Sequence, residues 1–134
     1  MANYVGGNKN VVNTKLITAA ANLVGWTFVN ANGAVPANYE KCTGGVVQTD
    51  VTNADYGTIV YGTGSIVKVL ATGTVTEGNF VEILLSTFTT KDTTGVSGAG
   101  VQNSTATNAI VGKAQTGGVV NETVLVELMD GSNH

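Results

Sequence analysis

The sequence has no arginine, one histidine and one cysteine, and only 11% of its residues are charged. Proton transfer and nucleophilic attack near neutral pH depend mainly on histidine, activated cysteine, lysine and paired carboxylates. The one imidazole belongs to His134, in a polar stretch. This shortage of reactive side chains predicts a structural or binding protein, not an enzyme, with no catalytic residues and no cofactor.

Positive charge is also scarce and dispersed. The net charge is −3, and nucleic-acid affinity comes from clustered lysine and arginine that release counterions. Nucleic acid is therefore not expected as a partner. No run approaches the roughly 18 apolar residues of a membrane helix, and residues 1–4 lack the basic and apolar regions of a secretory signal. We expect synthesis in a cytoplasm, and we expect no membrane association.

The single cysteine, Cys42, cannot form a disulfide within the chain. No histidine or basic cluster flanks it to lower the pKa of its thiol. The sequence therefore predicts that Cys42 is a small buried hydrophobe.

Apolar residues recur at every second position in short runs separated by turn residues, which is the pattern of β-strands with one wet face. A length of 134 residues suits one domain. The pattern predicts an all-β protein, either a small antiparallel β-sandwich or a partly open β-barrel. The expected strands are 24–29, 46–51, 58–61, 65–71, 79–85 and 123–128.

Several local predictions accompany this fold. Asn32 and Gly33 form a turn that accepts positive φ, and the strands 58–61 and 65–71 form a hairpin. Glu82 and Glu127 point outward, and the Thr- and Gly-rich residues 91–108 form a long exposed loop. Residues 12–24 fit either a helix or a strand followed by a small-residue bend. A faint repeat links residues 72–83 with 116–128, and similar turn chemistry explains it without a duplication.

The sequence weakly suggests two kinds of ligand site, but neither pattern is complete. Asp50, Asn53 and Asp55 present alternating oxygens, but the segment lacks the central glycine and final glutamate of a calcium-binding EF-hand loop, so a solvated turn is expected and no metal. The Gly-rich segments lack the helix of a phosphate-binding loop. Trp26 and Phe28 share one strand face, which favours a core position over a sugar-binding platform.

Three short segments form a set. Residues 73–81 read Gly-Thr-Val-Thr-Glu-Gly-Asn-Phe-Val, a turn followed by a strand. Residues 109–114 (Ala-Ile-Val-Gly-Lys-Ala) and 123–128 (Thr-Val-Leu-Val-Glu-Leu) form a pair. The first segment resembles the turn-and-strand element of the small capsid decoration (cement) proteins of tailed bacteriophages, with Asn79 in place of that family's usual aspartate. The pair resembles that family's closing pair, and Thr-Ala-Ala-Ala at 18–21 is a looser echo. The resemblance, which covers residues 58–128, implies a compact β-domain that assembles as trimers on the outside of an icosahedral shell and stabilises it.

The first residues have a different character from the rest. They combine flexible glycines with hydrophobes that have no obvious core partner, which predicts a flexible arm over residues 1–13 and a single β-domain over 14–134. We expect the arm to contact the major capsid protein or a neighbouring subunit of a homotrimer on the capsid exterior. An alternative function is a soluble ligand-binding β-module, such as a carbohydrate-binding or tail-fibre domain. The candidate partner-binding residues are Tyr4, Val5, Lys9, Val11 and Val12.

Overall fold

A computed structural model describes residues 13–90, 93–105 and 108–129 of the chain. These residues form one antiparallel sheet of nine strands, and no helix occurs among them. The all-β antiparallel prediction is confirmed. The strands are β1 (Asn13–Thr18), β2 (Thr27–Val29), β3 (Gly45–Val47), β4 (Tyr56–Tyr61), β5 (Ile66–Leu70), β6 (Phe80–Phe88), β7 (Val96–Asn103), β8 (Gly112–Ala114) and β9 (Thr123–Leu128).

The sheet curls upon itself, so the protein is a partly open barrel. Its strand order is β1-β4-β3-β2-β7-β6-β8-β9-β5. The terminal strand β5 returns to the middle of the sheet, where Ala71 forms a parallel bridge to Val101 of β7. The N–H of Leu70 also donates a 2.9 Å hydrogen bond to the carbonyl of Trp26, just before β2. Strands β1, β4 and β3 extend beyond this closure.

The alternation of side chains gives the protein two apolar cores, one on each face of the extension. Successive residues of a strand point to opposite faces. Val60 lies in the barrel core with Phe28, Val46 and residues of β5 to β9. Its neighbour Ile59 lies in a second core with Ile17 and other residues. Both side chains are fully buried, which explains why β4 is rich in β-branched residues.

The predicted turn at Asn32 and Gly33 is confirmed, and its glycine is required. Gly33 has φ +85°, and a Cβ at this position would lie 2.0 Å from the carbonyl oxygen of Thr18. The N–H of Ala20 donates to the Gly33 carbonyl over 3.0 Å. This loop therefore covers the edge of the sheet at the end of β1. The segment 12–24, for which helix and strand were both open, contains the strand β1 and no helix within its described residues.

The predicted hairpin of residues 58–61 and 65–71 is wrong. Both strands exist as β4 and β5, but β4 pairs with β1 and β3, whereas β5 pairs with β9. The tight connection is present, with positive φ at Gly62 and Gly64, but each strand pairs with a partner elsewhere. Val67 and Val69 match Val126 and Val124 across the β5–β9 ladder, and this buried match decides the pairing.

The predicted exposed loop at 91–108 is also wrong over eight of its residues. Residues Val96–Asn103 form β7, which pairs with β6 along eight positions near the centre of the sheet. The glycines of β7 hide the apolar alternation, because side chains of neighbouring residues fill the space that a side chain at each glycine would occupy. A Cβ on Gly98 would lie 2.7 Å from the Phe88 ring, and one on Gly100 would lie 2.4 Å from Thr72.

Two predicted strands are shorter than expected. The strand predicted at 24–29 begins only at Thr27, because Trp26 adopts a left-handed φ of 64°. In this conformation the Trp26 N–H donates to the Val47 carbonyl over 2.7 Å while its own carbonyl accepts from Leu70. The strand predicted at 46–51 ends at Val47. Trp26 therefore serves as a backbone junction between β3 and β5.

Candidate interaction surfaces

The five residues predicted to bind a partner, Tyr4, Val5, Lys9, Val11 and Val12, lie outside the described residues. The structure instead shows four features of the folded domain that the sequence did not single out. They are the open edge of β1, an apolar turn between β8 and β9, a cavity at one end of the barrel, and a buried carboxylate under the segment that follows β7.

The open edge belongs to β1, which pairs with β4 alone among the described strands. Hydrogen bonds in an antiparallel ladder alternate in direction along each strand. The N–H of Ala19 donates to Asp55 on the β4 side, so the backbone groups of Thr14 and Leu16 point away from β4. The loop at Gly33 covers the strand only near Thr18 and Ala20. Thr14 and Leu16 thus present backbone donors and acceptors at an exposed edge.

Two large apolar side chains stand beside this edge. Leu16 is 69% exposed and Tyr56 is 74% exposed. They lie on the same face and are diagonal neighbours, since Leu16 pairs with Thr58 and Thr18 pairs with Tyr56. Edge strands of soluble proteins are usually protected by charge, proline or a bulge. Here the one charged side chain, Lys15, points to the opposite face, where its ammonium lies 4.7 Å from the Tyr61 ring centroid. We call Thr14, Leu16 and Tyr56 the β1 edge surface.

A second apolar surface is the turn between β8 and β9. Val119 and Val120 are 57% and 51% exposed, and Asn121 has φ +74°. The turn is anchored by an antiparallel bridge between Gly118 and Val75, with two hydrogen bonds of 2.9 Å. The two segments of the faint sequence repeat therefore meet in space. The Thr76–Asn79 and Val119–Glu122 turns each place a residue with positive φ third, Gly78 and Asn121.

A cavity of about 340 Å³ opens at one end of the barrel. Its lining is mixed, because Phe28, Val111 and Leu128 of the barrel core line it together with Lys41, Thr43 and Thr63. Its rim includes Tyr61, Gly62 and Met129, and Cys42 also lines it. Both ends of the described chain lie beside this rim. Asn13 of β1 pairs with Tyr61 of β4, and Met129 is the last described residue.

Cys42 is half-buried, so the prediction of a small buried hydrophobe holds for its packing but not for complete burial. Its thiol donates to the carbonyl of Val29 over 2.9 Å, and its side chain packs against the barrel core. Burial raises the pKa of the Cys42 thiol to about 11, although hydrogen bonds with the backbone of Gly44 and Val29 oppose the shift. The thiol is therefore a poor nucleophile at neutral pH.

The prediction that Glu82 points outward is wrong. Its side chain is fully buried, because Thr105 and Asn108 lie over that face of β6. One carboxylate oxygen accepts a 2.7 Å hydrogen bond from the side-chain amide of Gln102. The other accepts from the Thr105 N–H at 3.1 Å and from the Asn108 side chain at 3.0 Å. The alternation of residues within β6 cannot predict that Glu82 is buried, because the residues that cover its carboxylate follow β7. Glu127 is half-buried on the outer face opposite Lys113.

The acidic segment at Asp50 behaves as a turn. The Asp50 carboxylate accepts from the Gly25 N–H at 2.8 Å, and the Asn53 N–H donates to the Asn22 side chain at 2.9 Å. Across the described ranges, no three histidine, cysteine or acidic side chains gather as metal ligands would. Among those same residues, no helix has the length and apolar character that crossing a membrane requires.

The exposed aromatic side chains are distributed over separate parts of the sheet. Tyr56 stands on β4 and Phe80 on β6, with three strands between them in the sheet order. Tyr39, also exposed, lies between β2 and β3, and its N–H donates to the Ile83 carbonyl of β6 over 2.9 Å. Phe28 is buried in the barrel core, as predicted. Trp26 is partly buried against that core, and the ammonium of Lys68 lies 5.8 Å from its ring centroid.

Comparisons with known proteins complete this description. The chain matches no protein family and no curated protein sequence. Among solved structures, it is similar to the N base of the head fibre protein gp8.5 of bacteriophage phi29, with a TM-score of 0.61 and 14% identity. The match covers 92% of this chain and 99% of that one. The two chains share a fold. The neighbour comes from a phage head, which accords with the phage capsid family that the sequence motifs resemble.

Proposed function

We propose that this chain is a structural protein of a phage virion that binds the outer surface of the capsid as a homotrimer and stabilises the shell. The observation that carries the proposal is the fold shared along nearly the whole chain with the N base of a phage head fibre. The sequence motifs at 73–81, 109–114 and 123–128 that resemble decoration proteins support it independently of the fold.

The surface chemistry supports a binding role. Cys42 is packed against the barrel core and Glu82 is satisfied by neutral donors, so neither side chain is a reactive group at the surface. The most exposed large hydrophobes, Tyr56 and Leu16, lie together at an open sheet edge. An unprotected edge with adjacent apolar side chains favours association with another protein surface.

We assign the β1 edge surface to contacts between copies of this chain. Its backbone groups at Thr14 and Leu16 can pair with an extended segment, and its side chains are neutral, which suits close approach of identical acidic subunits. In a cyclic trimer each interface is heterologous, so this edge of one copy meets a different surface on the next. Such a closed ring protects every edge.

The N-terminal segment supplies the other contacts in this proposal. Tyr4, Val5, Lys9, Val11 and Val12 bind the major capsid protein or a neighbouring subunit. Many identical copies around a shell raise the avidity without a strong single site, so weak individual contacts are sufficient. The protein is made in the host cytoplasm and resides on the capsid exterior, without nucleic acid or membrane as partners.

Two measurements test the proposal. Sedimentation equilibrium at micromolar concentration should give three times the mass of the 13.6 kDa chain. The purified protein should then co-sediment with undecorated capsids, and electron microscopy of the particles should place it on the outer surface. Decorated shells should also withstand a higher temperature than undecorated shells. A protein that stays monomeric both free and on the particle would contradict the trimer, and absence from the particle would contradict capsid binding.

A further inference from the structure

A second open edge lies at the end of β6. This strand pairs with β7 along eight positions, but β8 covers its other side only at its first two residues. Further along, the Tyr39 N–H of the β2–β3 connection donates to the Ile83 carbonyl over 2.9 Å. The Leu85 N–H donates to the side-chain oxygen of Asn38. The backbone groups of Ile83 and Leu85 therefore point away from β7.

Thr87 extends this edge beyond the covering loop. Residues two apart in a strand direct their backbone groups to the same side, so those of Thr87 also point away from β7. Within the described residues, neither the Thr87 N–H and C=O nor the Leu85 carbonyl has a hydrogen-bond partner on that side. Ser86 and Thr87 are both exposed. The described domain thus has an open edge at Leu85 and Thr87 besides that of β1.

The two edges suit the two sides of a head-to-tail contact, which joins different surfaces of identical copies. Because the chain has a net charge of −3, contacts between copies favour stretches without acidic side chains, and residues 14–16 and 85–87 contain none. Lys15 is the one charged residue in either stretch, and its ammonium lies 4.7 Å from the centroid of the Tyr61 ring on the other face of β1. Neither edge therefore repels the other, and neither is protected by charge.

We propose that β1 of one copy pairs antiparallel with the end of β6 of the next copy, with Thr14 opposite Thr87 and Leu16 opposite Leu85. In this register Thr14 and Thr87 exchange both of their backbone hydrogen bonds. The Leu16 N–H donates to the Leu85 carbonyl, while the Leu85 N–H stays with Asn38. The two threonines lie side by side, a cross-strand pair that stabilises antiparallel sheets.

The faces of the two strands also match in this register. Leu16 lies on the same face of β1 as Thr14, which pairs with Val60 of the barrel core. Leu85 packs against the barrel core of its own copy. The pairing therefore joins core-side face to core-side face and covers part of Leu16, which is 69% exposed in the single chain. The inference rests on the proposed homotrimer and deepens it, because it names the surface that the β1 edge meets.

Pairs of introduced cysteines test this register. Opposite residues of an antiparallel ladder have Cα atoms about 4.5–5.5 Å apart, a distance that a disulfide spans. In purified full-length protein at micromolar concentration, mild oxidation of Thr14→Cys with Thr87→Cys should give a covalent closed trimer on a non-reducing denaturing gel. Lys15→Cys with Ser86→Cys, the adjacent pair on the other face, should give the same product. All four positions are exposed, so the reduced variants should melt like the unaltered protein.

The matched control is Thr14→Cys with Ser86→Cys, whose side chains take opposite faces in the proposed register. We expect this pair to cross-link at least about tenfold more slowly than Thr14→Cys with Thr87→Cys. Neither single variant should cross-link, because residue 14 of one copy meets residue 87 of the next. Co-expression of the two single variants should give covalent dimers. Cys42 is present in every variant, so the single variants also measure any disulfide that it forms.

Sedimentation of the unaltered protein separates two kinds of failure. If it is a trimer but Thr14→Cys with Thr87→Cys cross-links no faster than the control pair, the pairing of β1 with β6 is wrong and the proposed trimer stands. Covalent dimers from one single variant would indicate a two-fold contact between like residues and would also overturn the pairing. A monomer in sedimentation contradicts the proposed trimer, and this pairing with it, before any cysteine is introduced.

Discussion

Gln102 and Glu82 are directly opposite each other on β7 and β6, and the Gln102 amide donates a 2.7 Å hydrogen bond to the Glu82 carboxylate. The same carboxylate also accepts hydrogen bonds from Thr105 and Asn108, which follow β7. A buried charge is tolerated when several donors satisfy it. This arrangement converts an acidic residue of a strand into an anchor for these two residues.

We predict that Glu82→Ala destabilises the protein by about 2–4 kcal/mol, because it leaves buried amide donors unpaired and removes side-chain packing. Glu82→Gln should cost less, since one amide oxygen still accepts. The control is Glu127→Ala on the half-buried outer face, with an expected loss below about 1 kcal/mol. Urea unfolding followed by tryptophan fluorescence measures all three variants. Similar losses for Glu82→Ala and Glu127→Ala would show that the network contributes little.

Stability should fall at alkaline pH through Cys42. Burial favours the neutral thiol and raises its pKa in the folded protein to about 11, above the ordinary 9.0. The associated stabilisation is complete below pH 9 and is lost as the pH rises towards 11. With 1.36 kcal/mol per pKa unit, the loss amounts to roughly 2–3 kcal/mol.

The Cys42→Ala variant isolates this contribution from the titration of tyrosines and lysines. Its free energy of unfolding should decline less steeply than that of the unaltered protein between pH 9 and 11. The comparison requires only the difference between two pH profiles measured by urea denaturation. Parallel profiles would refute the assignment.

Self-association should depend on the β1 edge surface. We predict that Leu16→Lys with Tyr56→Lys shifts the trimer to monomer in sedimentation at micromolar concentration, because six added charges per trimer would be brought together in the interfaces. The free energy of unfolding of the monomer should change by less than about 1 kcal/mol, since both side chains are exposed. The matched control is Thr49→Lys with Thr74→Lys, two exposed positions away from this surface, which should remain trimeric.

Ala54 carries a backbone penalty that glycine would relieve. It is exposed, has φ +74°, and its N–H donates to the Ala19 carbonyl at 2.9 Å. The left-handed conformation costs non-glycine residues about 1–2 kcal/mol, part of which is offset by the greater freedom of glycine in the unfolded chain. Ala54→Gly should therefore stabilise the protein by about 0.5–1 kcal/mol in thermal melts. Ala31→Gly, an exposed position with ordinary φ, should destabilise it slightly.

Much of the fold follows from period-two patterning, as in β9, where Val124, Val126 and Leu128 are buried as expected. The sequence could not reveal β7, because its glycines make room for Phe88 and Thr72 and so erase the apolar alternation. It also could not reveal that β4 and β5 separate, since pairing depends on partners distant in sequence. The β1 edge surface could not be predicted either, because only the strand order shows that β1 is the outermost strand.

The ladder between β5 and β9 has a consequence for synthesis. Ile66–Leu70 leaves the ribosome more than 50 residues before Thr123–Leu128, its main partner. At about 5–20 residues per second, Val67 and Val69 stay without that partner for several seconds. The barrel therefore closes late, and pairing over such long sequence separations makes folding slow. Nascent chains that are translated from one messenger RNA are most prone to aggregate in this interval. Subunits cannot assemble faster than the barrel closes.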